Sequence, residues 1–174
     1  MTESTLPLEG IRVVDDQLRK GVTNSQAIFD RLVARADVLV ENYRPGVMAR
    51  LGFGWETLHA RHPRLVYAAV SGFGQTGPDA LKPAYDMVVQ ARGGVMSITG
   101  ESGGPPVRVG ASIGDIVAGM YLAQGVLAAL YQRERPGEGA FIDRPFNTTD
   151  VCLLMDTTVM SERHRGYYTR RHEA

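Results

Sequence analysis

Val107-Arg-Val-Gly-Ala-Ser-Ile-Gly-Asp-Ile-Val-Ala-Gly-Met-Tyr-Leu-Ala-Gln-Gly-Val-Leu-Ala-Ala-Leu-Tyr-Gln-Arg-Glu-Arg135 is the stretch on which the fold turns. A short apolar run leads into Gly114-Asp115, and a long apolar helix starts at once. Ile116, Met120, Ala123, Leu127 and Leu130 recur at helical spacing. Gln132, Arg133 and Arg135 close the helix with charge, and Pro136-Gly137 stop it. One carboxylate, Asp115, therefore sits at the mouth of a mostly buried helix. Two readings of it compete. As an N-cap, its side-chain oxygen accepts an orphan backbone N–H. As a nucleophile, it is held ionised by the positive end of the helix and is ready to attack. The local residues leave both readings open.

Working outward, Ala84 to Met96 reads as a helix opened by Lys82-Pro83, with Met87, Val88 and Ala91 packing and Gly93-Gly94 allowing a close approach or a bend. Before it, Ser71-Gly-Phe-Gly-Gln-Thr-Gly-Pro78 is a glycine-rich loop after the buried strand Leu65–Val70. No Gly-Lys-Ser/Thr closes this loop, so it is not a P-loop. Its glycines either admit a ligand close to the backbone or make a tight turn.

Nearer the N-terminus, Gly10–Val14 reads as a strand and 15–24 as a loop. A helix from Ser25 turns Ile28, Phe29, Leu32 and Val33 to one face, and Val38–Val40 forms a buried strand of the parallel kind. Strand, helix, strand implies a layered α/β arrangement. Glu41-Asn42-Tyr43-Arg44-Pro45-Gly46 follows that strand. Ligands in open α/β sheets bind beyond the carboxyl ends of strands, so this loop is either a binding loop or a plain turn. Val47–Leu51 and Trp55–Arg61 read as short helices, and Phe141–Asp143 as a last short strand. Asn147–Met160 reads as a helix and 161–174 as a polar, arginine-rich tail.

At 174 residues the chain is one domain or part of a larger one, long enough to bury a core. Its net charge of zero gives no global field for nucleic acid or an anionic membrane. The central helix reads as too short and too interrupted to cross a bilayer. A single cysteine, Cys152, excludes an internal disulfide, reads as core and fits a reducing, cytoplasmic setting. The first ten residues read as no signal peptide. His59 and His62 lack a third ligand nearby and read as surface residues, and no metal is expected.

The run from about Gln26 to Asp143 resembles the family III CoA-transferases, the group of formyl-CoA and carnitine CoA-transferases. The segments that carry the resemblance are Ala36–Gly46, Pro63–Tyr67 with Ser71–Pro78, Ala84–Ala91 with Gly94 and Met96, and Gly114-Asp115 opening the long helix. Leu6–Val13 is similar to the family's first strand. After Asp143 the resemblance fades.

The resemblance implies a Rossmann-like layered α/β fold: a partial family III large domain over residues 1–145, then a C-terminal helix and polar tail over 146–174. It implies that Asp115 is the catalytic nucleophile, forming an aspartyl-CoA thioester. It also implies that Asn42, Tyr43, Arg44, Arg50, Lys82, Pro83, Ala84 and Tyr85 contact coenzyme A. The implied substrates are an acyl-CoA and a small carboxylic acid, in a homodimer. By the same comparison the chain reads as truncated and internally shortened, lacking the second domain and the glycine-rich lid. An inactive remnant that binds CoA or dimerises is therefore a second expectation. An acyl-CoA racemase-like enzyme is a third, disfavoured because Tyr85 stands where the racemases carry a histidine base.

Overall fold

The computed structural model describes residues 8–15, 25–101 and 103–145. The elements in chain order are β1 (Val13–Asp15), α1 (Ser25–Val33), β2 (Val38–Glu41), α2 (Val47–Arg50), α3 (Trp55–Arg61), β3 (Val66–Ser71), α4 (Asp86–Arg92), α5 (Val95–Ile98), α6 (Ile113–Arg133) and β4 (Phe141–Pro145). They fall into two compact units. One takes the chain up to Val70 together with Leu122–Asp143, and the other takes Ser71–Tyr121. The reading of residues 146–174, including Cys152, lies outside the described residues, as does most of the 15–24 loop.

The first unit is a layered α/β structure. Its sheet has the order β1-β2-β3-β4. β1, β2 and β3 run parallel, with Val13 opposite Val38 and Val38 opposite Val66. Parallel strands need crossover connections, which here carry α1 and then α2 with α3. Because successive strand residues point to opposite faces, the strands divide their side chains between two cores. Leu39, Tyr67 and Ala69 join Phe29, Val33, Met48, Phe53, Leu58 and Leu65 on one face. Val38 and Val66 join Ala129 and Leu130 of α6 on the other. Covered on both faces, β3 is buried along its whole length, as its continuous apolar run implies.

The structure moves several boundaries and faces. β1 is shifted to Val13–Asp15, and Glu41 belongs to β2 as a buried residue. In α1, Phe29 and Val33 are buried, whereas Ile28 and Leu32 are exposed. The single helix expected over Ala84–Met96 is two. Gly94 takes a left-handed φ of 76° and separates α4 from α5, and Pro83 precedes α4 rather than lying inside it. The packing face of α4 is Val89 and Gln90, not the exposed Met87, Val88 and Ala91.

α6 starts at Ile113 and buries Val117, Ala118, Leu122, Ala129 and Leu130, while Ile116, Met120 and Leu127 are exposed. Apolar spacing alone follows the bulkiest side chains. The face that packs is instead one whose small residues let the backbone approach: a Cβ on Gly125 would stand 3.2 Å from Ile142. With 21 residues, α6 is long and apolar enough to cross a membrane by length and composition, which corrects the expectation that it is too short. Its Ala129 and Leu130 are spent on the sheet core.

At the C-terminal end of α6, Arg133 is not a solvated closing charge but is buried. Its guanidinium donates to Asp37 Oδ1 at 3.1 Å and to the Arg64 carbonyl at 3.1 Å. Asp37 Oδ2 accepts the Arg12 N–H at 3.0 Å, which ties the entry to β1 into the same cluster. The Arg133 side chain is 5% exposed and that of Asp37 28%, so the two partners are not equivalent. Asp37→Ala strands a buried cation and is expected to cost about 3 kcal/mol or more. Arg133→Met leaves a carboxylate that still reaches water and the Arg12 N–H, and is expected to cost clearly less. Urea unfolding of both variants checks the order; equal losses would refute it.

Candidate active site

The candidate residues divide between the two units. In the first, Asn42, Tyr43 and Arg44 leave the C-terminal end of β2. Tyr43 donates its N–H to Glu41 Oε2 at 2.7 Å and packs against the larger core cluster. Gly46, with a left-handed φ of 80°, turns the chain into α2, which carries Arg50. Asn42, Arg44 and Arg50 are exposed. Neither arginine has a carboxylate partner among the described residues.

In the second unit, the glycine-rich loop is built for contact with its own chain. A Cβ on Gly72 would stand 2.2 Å from the Ala84 Cβ, so the glycine lets the loop close on the segment before α4. Asp79 accepts bonds from both Lys82 and Arg92, and Arg92 also lies over the Phe73 ring at 4.6 Å. Those bonds from Lys82 and Arg92 hold the Asp79 carboxyl below the usual carboxylate range. Lys82 is thus an exposed but already paired cation. Pro83 and Tyr85 are exposed, and Ala84 is half-buried.

Asp115 is not the N-cap. α6 begins two residues earlier, so Asp115 lies inside its first turn. The side chain that satisfies an orphan N–H comes from another helix: Asp86 Oδ1 accepts the Gly114 N–H at 2.8 Å. Gly114 permits this approach, because a Cβ there would stand 3.1 Å from Asp86 Oδ1 and 3.2 Å from Val89 Cγ1. The other Asp86 oxygen accepts from Gln90 Nε2 at 2.7 Å. The carboxylate of Asp115 itself has no hydrogen-bond or ion-pair partner among the described residues.

Partial desolvation, and then the charge of Asp86, push the Asp115 carboxyl above its ordinary value. The expectation that the helix terminus leaves Asp115 favourably ionised is therefore reversed in the balance. A carboxylate with a raised pKa is a stronger nucleophile when ionised. Forming an ester or thioester on it removes the charge that Asp86 repels.

Sequence reading missed Asp86 and Gln90 as parts of the site. The available signal was an Asp and a Gln one turn apart, a spacing at which the two side chains bond on a helix face. His59 stacks on Trp55 with ring centres 4.3 Å apart.

This chain matches the model of CoA-transferase family III over residues 21–173, which carries the similarity well past Asp143 and corrects the expectation that the resemblance fades there. An acetyl-CoA:oxalate CoA-transferase of Acetobacter aceti is 56% identical over 119 residues, 68% of this chain and 31% of that protein. A succinyl-CoA–D-citramalate CoA-transferase of Chloroflexus aurantiacus is 48% identical over 146 residues, 84% of this chain and 36% of that one. Among solved structures, a CAIB/BAIF family protein from Brucella suis superposes with a TM-score of 0.72 at 33% identity, covering 85% of this chain and 38% of its own. The chain spans about a third of the length of the curated relatives it matches. A family model that runs through nearly every described element, together with relatives about half identical over the matched residues, places this chain in CoA-transferase family III.

Proposed function

We propose that the chain moves coenzyme A between an acyl-CoA and a small carboxylic acid, with Asp115 as the nucleophile. What supports this reading is the Asp115 carboxylate itself: without a partner among the described residues, in the first turn of α6, with its acidity weakened by desolvation and by Asp86. The carboxylate attacks the thioester carbonyl. Its C–O bond forms as the C–S bond breaks, leaving an aspartyl–acyl anhydride and CoA thiolate. The thiolate attacks the Asp115 carbonyl, the anhydride C–O bond breaks, and the first acid leaves as its carboxylate. The resulting aspartyl-CoA thioester is attacked by the acceptor carboxylate, and the same steps in reverse regenerate Asp115.

Relatives are named for oxalate, D-citramalate and mesaconate, all dicarboxylic acids, with acetyl-CoA or succinyl-CoA as partner. A short dicarboxylic acid is accordingly the class of acceptor we favour. Arg44 and Arg50, which have no carboxylate partner among the described residues, would hold CoA phosphates through charge-assisted bonds, with Asn42 and Tyr43 beside them. Lys82, shared with Asp79, contributes less, in a segment with Pro83, Ala84 and Tyr85. We read the working form as a homodimer, consistent with Ile116, Met120 and Tyr131 standing in the open along α6.

Intact-protein mass spectrometry after mixing with acetyl-, formyl- and succinyl-CoA tests the nucleophile. The wild type is expected to gain the mass of a CoA thioester, and Asp115→Asn to gain none. No adduct on folded wild-type protein would overturn the reading and favour a CoA-binding or dimerising module without catalysis.

Arg44→Ala and Arg50→Ala are each expected to weaken CoA binding about tenfold, with a steep salt dependence. Lys82→Ala is expected to weaken it less. Calorimetric titration with CoA decides, and a larger loss for Lys82→Ala would reverse the assignment.

A raised folded-state pKa means that ionised Asp115 weakens the fold at neutral pH. This penalty is relieved as the pH falls from the folded value towards the ordinary 3.8. Asp115→Asn is therefore expected to melt above the wild type at neutral pH and to lose that advantage through the acid range. A constant difference across pH would contradict this.

A further inference from the structure

Gln90 is fully buried, on the face of α4 where a leucine would serve packing as well. Burying a carboxamide costs free energy unless both its ends are bonded. Here both are. Oε1 accepts the Val109 N–H at 2.8 Å. Nε2 donates to the Ala111 carbonyl at 3.2 Å and to Asp86 Oδ2 at 2.7 Å. The orientation has no alternative, because the amino group faces two pure acceptors and the oxygen faces a pure donor. One turn earlier, Asp86 spends its remaining oxygen on the Gly114 N–H. Two side chains of one helix thus grip the irregular backbone from Val109 to Gly114, and Asp115 is the next residue.

We propose that Gln90 is a positioning residue for Asp115, holding Asp86 against the Gly114 N–H and holding the 109–111 backbone so that α6 begins in one fixed place. The inference rests on Asp115 being the nucleophile and adds how it is kept in position. A satisfied buried network specifies one arrangement, and a half-satisfied one is costly. The charged groups around this network are Asp86 from α4, Asp115 from α6 and the exposed Arg108, which donates to the Gly110 carbonyl.

The polarity of the network supplies the test. Gln90→Glu keeps the shape but turns a carboxylate towards Asp86 and the Ala111 carbonyl. Its rate of CoA-adduct formation is expected to fall about tenfold to a hundredfold at neutral pH. Acid should bring that rate closer to the wild-type rate at the same pH, because the protonated side chain donates again; the ratio is the readout, since acid also protonates Asp115 in both proteins. Gln90→Leu should be slow at every pH. In the double variant Asp86→Asn with Gln90→Glu the donor and acceptor of the 86–90 bond change places and the charge is kept, so part of the rate should return, the Ala111 carbonyl alone still facing an acceptor. Hydrogen exchange at the Gly114 N–H, followed by NMR in the same samples, should quicken in Gln90→Glu and slow again in the double variant, independently of turnover.

A wild type that forms no adduct would defeat the nucleophile and this inference with it. A wild type that forms it at the same rate as Gln90→Glu would overturn this inference alone. So would a double variant that recovers neither rate nor protection, or an acid response shared by Gln90→Leu.

Discussion

The hydrogen bond from the Gly114 N–H to the Asp86 carboxylate is the constraint on which the site depends. A helix start leaves N–H groups without intrahelical partners, and the commonest solution is a cap from the residue just before the helix. Here the acceptor comes from α4, so the start of α6 is set by another helix instead of by its own sequence. A glycine leaves room for that carboxylate and for Val89 behind it, where any Cβ would force them back by a few tenths of an ångström. The Gly114-Asp115 pair is thus one device: the first residue admits the cap, and the second presents a carboxylate beside it.

That device puts two acidic groups in one place, which works against stability and in favour of reactivity. Asp86 satisfies an orphan donor and fully uses both of its oxygens, so its charge is well compensated locally. Asp115 has no such compensation and bears both the desolvation and the repulsion. A covalent bond on Asp115 abolishes its charge and with it the repulsion. In the proposed reaction, the first bond formed on Asp115 would relieve this unfavourable charged state. This is how a carboxylate, ordinarily a weak nucleophile, is given a driving force by its surroundings.

The layered architecture was legible because its signals are local and redundant. Val66–Ser71 is a continuous apolar run, and Trp55–Arg61 has a start, a face and a stop of its own. The choice of buried face was less legible. In α4 and α6 the bulkiest residues define an apolar stripe, but the packed stripe is set by the residues that allow close approach and by one buried amide. Met87 and Ile116 are therefore exposed, while Gln90 and Gly114 are buried. Asp115 stands out in the sequence at the mouth of the long helix, and the resemblance to the family is what favours reading it as a nucleophile over a cap. Its cap reading failed because α6 begins at Ile113, three residues before Ile116, where the apolar spacing starts it.

Cations illustrate the same limit. Lys82, Arg44, Arg50 and Arg133 look alike as residue types, yet the structure gives them different roles. Arg133 is consumed by Asp37 and two backbone carbonyls in the interior. Lys82 shares Asp79 with Arg92. Among the described residues, Arg44 and Arg50 alone of these four have no carboxylate partner. A sequence lists charges, but binding depends on the charges left over once internal pairs are made, because a cation already neutralised must give up one partner to gain another. The free pair flanks the end of a buried parallel strand, where backbone geometry favours ligands whatever the residue types. Availability and position coincide there on physical grounds, and this coincidence, more than the basic residues alone, is what supports the proposal of a phosphate site in this segment.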